Sequence, residues 1–258
     1  MYEELVSRNF PLLSKEEQEN LRRIRVGIAG CGMGSFIAEV LCRVGVERFL
    51  FADPDLVEVA NLNHQAYGVK DVGENKAVAL SNHILNINPE AVIETWADFV
   101  TQNNALDFAS LVNVVIDCID PMPGIVVSLA LARVCREQRK WFLYPIDIGW
   151  GAAIFSFDPK KENVFENLLG IPVTMTLKEF EKIPAMEPLN HIMESVNIPP
   201  YLYPILKQME TGELRHYPQP IIAAFTAAML GVSAIIKMVK NETPQLVTQF
   251  DPVERGST

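Results

Sequence analysis

A glycine-rich stretch, Gly30-Cys31-Gly32-Met33-Gly34-Ser35, stands between an apolar run, Val26 to Ala29, and a segment of helical pattern, Phe36 to Val44. A strand that turns through glycines into a helix start makes an anion site. Backbone N–H groups point at the ligand and the helix dipole adds about half a positive charge. Gly30, Gly32 and Gly34 would let the chain approach phosphates closely. Asp53 closes the next apolar run, Arg48 to Ala52, where an acid can accept hydrogen bonds from both hydroxyls of a ribose. These residues alone fit a nicotinamide-dependent oxidoreductase as well as any other nucleotide-binding protein.

The following segment argues for a different chemistry. Asp53-Pro54-Asp55-Leu56-Val57-Glu58-Val59-Ala60-Asn61-Leu62-Asn63-His64-Gln65 is polar and distinctive, and hydride transfer has no use for it. Gly73 and Lys76 come next, then Asp117 and Asp120 in Val115-Ile116-Asp117-Cys118-Ile119-Asp120.

The elements that must position these groups alternate. Leu12 to Arg23 is predicted as an amphipathic helix, with Ser14 and Glu17 spaced as a capping box. Strands are predicted at 26–29, 48–52, 91–96, 113–117, 141–144 and 152–157, and helices at 36–44, 74–86, 102–110 and 124–138. Such alternation implies an α/β fold, a doubly wound and largely parallel sheet. From 158 to 220 the texture changes: nine of the seventeen prolines fall there, which suggests an irregular insert or lid. Ile221 to Val239 returns as a long apolar helix that must pack on the sheet, and the polar tail from Asn241 to Thr258 is expected to fray in part. The expected organisation is one domain: a helical arm at 1–24, a nucleotide-binding core at 25–157, the insert at 158–220 and a core helix at 221–240.

Composition narrows the field. The 258 residues are 49% hydrophobic and 21% charged, enough apolar material for a packed core. A net charge of -10 repels phosphate backbones, so general nucleic-acid binding is not expected. The strongly apolar part of the last helix is short for a membrane span, no apolar leader opens the chain, and four unpaired cysteines suit a reducing setting. A cytoplasmic protein with no membrane partner is expected. The cysteines show no metal-ligand spacing, so no zinc site is expected.

Several motifs occur together in one order, and in that order the chain resembles the ThiF/MoeB/HesA family, the bacterial E1-like adenylyltransferases. Arg8-Asn9 resembles the family's early RN pair, and Gly30 to Ser35 its glycine loop. The segment 53–65 is similar to D-x-D-x-V-x-x-x-N-L-x-R-Q, Lys76 to the lysine that follows, and Asp117 to Asp120 to D-C-x-D. The resemblance implies an E1-like adenylation fold, ATP and Mg²⁺ as cofactors, and activation of a carboxylate as an acyl adenylate. It implies that Asp53 binds ribose, that Asp55, Asn61 and Gln65 make polar contacts around the nucleotide, and that Lys76 contacts the α- and β-phosphates. Asp120 would hold Mg²⁺, and Arg8 would reach across a homodimer into the partner's site. The implied protein partner is a small ubiquitin-like or sulfur-carrier protein; a peptide or small acid is the other implied substrate. Plain structural readings stand beside these: a solvated Lys76, a surface Arg8, Asp120 as a turn residue or helix cap, Asn61 as a left-handed turn residue.

Two departures weigh on catalysis. His64 stands where the family has arginine, and histidine offers fewer donors and a conditional charge. Aligned on Gly34-Ser35, the family's G-x-G-G-x-G reads Ala29-Gly30-Cys31-Gly32-Met33-Gly34. A degenerate nucleotide-binding scaffold is therefore the alternative. In the insert, His191, Glu194, His216 and Tyr217 are the chemically interesting side chains, with His216-Tyr217-Pro218 nearest the expected crevice.

Overall fold

The computed structural model describes residues 1–214 and 216–253. Strands β1 (Arg25–Ala29), β2 (Arg48–Ala52), β3 (Val92–Trp96), β4 (Val114–Asp117), β5 (Trp141–Ile148), β6 (Gly151–Phe157) and β7 (Val247–Phe250) form one sheet ordered β3-β2-β1-β4-β5-β6-β7. The first five run parallel, and β6 and β7 are antiparallel additions. The helices are α1 (Tyr2–Leu5), α2 (Lys15–Arg23), α3 (Gly34–Val44), α4 (Lys76–Ile87), α5 (Ala105–Ser110), α6 (Pro121–Glu137), α7 (Phe165–Leu168), α8 (Leu177–Phe180), α9 (Met186–Glu194), α10 (Tyr203–Glu210) and α11 (Ile221–Val239).

Alternation along the parallel strands feeds two cores. Phe49 and Phe51 join Ile37, Leu41, Leu80 and Ile235 on the α3, α4 and α11 face. Leu50 and Ala52 join Phe108, Leu129 and Phe142 on the α5 and α6 face. A sheet buried on both sides needs apolar residues at consecutive positions, which is how β2 and β4 read. The doubly wound reading holds, and Ser14 and Glu17 do form the capping box of α2.

Some boundaries differ for local reasons. Strand β5 runs four residues past its expected end and includes Pro145. Pairing with β4 stops at Leu143, so Pro145 removes no donor that β4 would have used. Helix α6 opens with a turn at Pro121 capped by Asp120, but Met122 is non-helical, so the continuous helix begins after it, close to the expected Gly124. The tail forms β7, paired from Val247 to Phe250 against β6, where fraying was expected. Val247-Thr248-Gln249-Phe250 is too short a pattern to stand out from its polar surroundings. The segment 158–220 is four short helices and turns that bury Phe165, Leu169, Phe180 and Ile192 beside α6. Within it the buried Glu166 accepts hydrogen bonds from Arg133 and Arg136 of α6.

Helix α11 lies on α3 and β6 and buries Ala224, Ala227, Ala228 and Ile235. Its other side is uncovered: Ile222, Phe225 and Met229 are each 40–49% exposed, and Phe225 lies over Phe36 of α3.

Candidate functional site

The glycine loop leaves β1 and enters α3. Gly30 has φ +89, and a Cβ there would run into the carbonyl of Cys118. Only glycine combines that conformation with that approach. The Gly30 N–H donates to the Ala52 carbonyl and the Cys31 N–H to Asp53 Oδ2, at 2.9 and 2.6 Å. The next three N–H groups, of Gly32, Met33 and Gly34, have no acceptor among the described residues. Gly34 opens an eleven-residue helix and the other two lie just ahead of it, so all three are grouped where the positive end of its dipole lies.

Asp53 organises the neighbouring turn. Its second oxygen accepts the Asp55 N–H at 2.9 Å, so each carboxylate oxygen holds one backbone donor and keeps acceptor capacity for a hydroxyl. Burial raises its pKa, opposed by those two N–H groups and by the charge of Lys76. The turn is fastened to the start of α4: Asn75 Nδ2 donates to the Asp53 carbonyl, and the Lys76 N–H to the Asp55 carbonyl. The Lys76 side chain is 11% exposed and its Nζ lies 3.0 Å from Asp55 Oδ2, on a carboxylate 63% exposed. Thus a nearly buried ammonium is held by a partner that water can solvate. Tyr67, which the sequence reading missed, fixes the spacing. Its hydroxyl donates to the Cys31 carbonyl at 2.7 Å and lies 3.1 Å from the Lys76 carbonyl, tying the glycine loop to α4.

The strap between Asp55 and Lys76 carries the remaining polar residues. Asn61 Oδ1 accepts the Glu58 N–H within a short 3-10 turn, without the left-handed backbone that its plain reading expects. Gln65 lies against Gly32: a Cβ there would be 3.3 Å from Gln65 Nε2. Gln65 Oε1 is buried without a partner among the described residues. His64 bonds Gln65 through Nε2 at 3.1 Å and Asn63 through Nδ1. Burial, and then the charge of Lys76, push the His64 pKa below its ordinary value.

The β4 end supplies acids. Asp120 is exposed, and its Oδ1 accepts the Met122 N–H at 3.0 Å as the cap of α6. The plain reading of Asp120 is correct, and it leaves Oδ2 available. Asp117 is fully buried; Oδ1 accepts the Ile119 N–H and Oδ2 has no partner by hydrogen-bond geometry. Burial pushes its pKa up to about 7. A raised carboxyl contributes stability in full below its unfolded value of 3.8, and that contribution is lost as pH rises through about 7. Asp117→Asn keeps the Ile119 contact. Its melting temperature should therefore gain on wild type by several degrees between pH 5 and pH 8, measured by calorimetry.

Arg8 does not join its own site. Asn9 Nδ2 donates to the Val44 carbonyl at the C-terminal end of α3 and to Gln18 Oε1. The glycine loop is at the other end, about 16 Å away at 1.5 Å per residue, farther than an arginine reaches. Arg8 is exposed and has no partner among the described residues. His191 and Glu194 pair on the outer helix α9 at 3.4 Å, and His216 is exposed. Tyr217 is placed more tellingly: its hydroxyl accepts the Gly149 N–H at 2.8 Å, at the β5–β6 turn. No trio of His, Cys, Asp or Glu positioned to hold a metal occurs among the described residues.

A sequence model of the ThiF family matches residues 6–253. The sulfur carrier protein adenylyltransferase of Thermus thermophilus is 34% identical over 115 residues, covering 44% of this chain and 42% of that protein. The tRNA threonylcarbamoyladenosine dehydratase of Escherichia coli is 37% identical over 116 residues, covering 44% and 41%. The chain thus matches about two-fifths of the length of these curated relatives. The crystal structure of E. coli MccB with ATP superposes with a TM-score of 0.65 over 96% of this chain and 72% of that one, at 18% identity, a likeness of fold.

Proposed function

The chain belongs to the ThiF family, and from that premise we propose that it activates a carboxylate with ATP, giving an acyl adenylate and pyrophosphate. The observation that carries this reading is the grouping of three unpaired N–H donors at the start of α3 with a nearly buried Lys76 and the ribose-facing Asp53. A carboxylate is a poor acyl donor because its leaving group would be oxide. Attack of a carboxylate oxygen on the α-phosphorus forms one P–O bond and breaks the bond to the bridging oxygen, with pyrophosphate leaving. Negative charge grows on the departing phosphates, where Lys76 and the loop N–H groups are placed to meet it. Asp53 takes the ribose, while Gln65, with its unpaired Oε1, and Asn61 orient the nucleotide from the strap.

Mg²⁺ fits the donor set. It favours one or two carboxylates plus phosphate oxygens over an all-protein cage, and Asp120 offers one exposed carboxylate with an oxygen to spare. When bound, the ion would neutralise phosphate charge.

The site is completed by a second copy. Arg8 lies too far from its own loop, and the apolar face of α11 at Ile222, Phe225 and Met229 offers surface for self-association. The relatives' names suggest the C-terminus of a small sulfur-carrier or ubiquitin-like protein as the carboxylate. Thiols with no disulfide partner suit a cytoplasmic setting. Calorimetric titration with ATP–Mg²⁺, followed by ATP–pyrophosphate exchange with candidate carboxylates, tests this reading. Binding of NAD⁺ in place of ATP would overturn it.

One feature favours the scaffold alternative: burial and the charge of Lys76 disfavour a charged His64 where the resemblance places an arginine. Under the adenylation reading His64→Arg restores a permanent charge and a planar fork, so exchange should be preserved or raised. Tight ATP binding with no exchange in either protein would favour the scaffold.

A further inference from the structure

Asp147 is an acid with no side-chain hydrogen bond or ion pair among the described residues. It lies on β5 opposite Ala152 of β6, beyond the point where β4 stops pairing. By strand alternation it shares the face of Leu143, which packs with α3 and α11, the face onto which the glycine loop opens. Cys118 links the two places. Its Sγ would be 3.5 Å from a Cβ on Gly34, and its thiol feels the charge of Asp147. On the other side Tyr217 feels the same charge while holding the Gly149 N–H. Asp147 Oδ1 is nevertheless buried with no hydrogen-bond partner among the described residues. A buried carboxylate oxygen without a donor is costly, and such orphans call for a missing partner.

The sheet order says where that partner comes from. Asp53 ends β2, the glycine loop ends β1, and Asp147 is on β5. From β2 to β5 is three strand spacings, about 14 Å. A nucleotide with its ribose at Asp53 and its phosphates at the start of α3 leaves the β5 side to the other reactant. Ligands in open α/β sheets lie beyond the carboxyl ends of the strands, which is where Asp147 stands.

We propose that Asp147 is a specificity-determining residue for the acyl substrate: its unpartnered oxygen accepts a hydrogen bond from an N–H group next to the carboxylate being activated. The substrate class is then a peptide-like carboxylate, one whose last amide N–H reaches Asp147 while its carboxylate meets the α-phosphate. Such an acid rejects N–H-free analogues, because they leave its buried oxygen unpaired. Burial also pushes the Asp147 pKa up to about 7. This inference rests on the adenylation reading.

The test uses two probes, N-acetylglycylglycine and its depsipeptide analogue, in which ester oxygen replaces the last amide N–H. Each is titrated calorimetrically into the whole protein saturated with Mg²⁺ and a non-hydrolysable ATP analogue. Wild type should bind the amide about tenfold tighter than the ester, or more. In Asp147→Leu and in Asp147→Ala the two probes should bind within about twofold of one another. Two variants guard against one that fails to fold. Equal binding by wild type, no binding of the amide, or discrimination that survives in both variants would overturn the assignment. The ATP titration separates the failures. With nucleotide bound and no discrimination, the role of Asp147 falls and adenylation stands; with discrimination present and no nucleotide binding, adenylation falls.

Discussion

Lys76→Ala should lower ATP–pyrophosphate exchange by about 10²–10³-fold, the cost of removing a donor placed where charge develops. ATP affinity should fall as well, by about 10- to 100-fold, because the proposed role gives Lys76 a charged contact to phosphate. Folding should hardly change. The ion pair that disappears has an exposed partner: Asp55, at 63% side-chain exposure, is taken over by water when the ammonium goes. Pairs of that kind are worth about 0–1 kcal/mol, so the melting temperature should move by no more than about 4 °C. Lys76→Met keeps the buried stem and loses only the charge. If it matches Lys76→Ala in exchange and wild type in melting, the ammonium rather than the packing is at issue. A Lys76→Met protein that exchanges like wild type would remove Lys76 from the chemistry. The geometry argues otherwise. The backbone of Lys76 is fixed to Asp55 and lies beside the Tyr67 hydroxyl that binds the glycine loop, so Nζ is aimed by three separate tethers.

What was legible beforehand follows the distance over which each signal acts. The β1–α3–β2 unit could be read because its parts are neighbours in sequence: a short apolar run, glycines, a helix and an acid within about thirty residues. The capping box of α2 is a three-residue signal and was equally plain. Tyr67 was not legible, because its hydroxyl joins carbonyls of residues 31 and 76 and neither contact leaves a local mark. Asp53 was read as a ribose acid, yet half of its acceptor capacity holds the glycine loop and its own turn, 22 and two residues away. Asp147 escaped notice because burial without a partner is a property of packing. On the sequence it is one acid in an apolar strand. Conversely, Asp120 and Asn61 do the plain local work that their residue types suggest, and any nucleotide contact is added to it.

Mixing two dead proteins should restore activity, and this separates a trans-acting Arg8 from a merely solvated one. Arg8→Ala and Lys76→Ala should each exchange pyrophosphate at a small fraction of the wild-type rate. The two variants are mixed in equal amounts under conditions that let subunits re-assort. Half of the dimers then combine one subunit of each kind. In such a dimer the site built on the Arg8→Ala subunit has its own Lys76 and receives Arg8 from its neighbour, while the other site lacks both. One intact site in half of the dimers gives about a quarter of the wild-type activity, the value set by closed two-fold pairing. An Arg8 acting within its own subunit yields no recovery, because no subunit in the mixture carries both residues. The structure favours recovery on two grounds. Asn9 pins the arm to the C-terminal end of α3, while the site occupies the N-terminal end about 16 Å away. Arg8 is also exposed and unpaired among the described residues, so it is free to meet a second molecule. The uncovered Ile222, Phe225 and Met229 give that second molecule an apolar surface to bury. Phe225→Asp should therefore abolish recovery by keeping subunits apart, while the fold holds because Phe225 is half exposed.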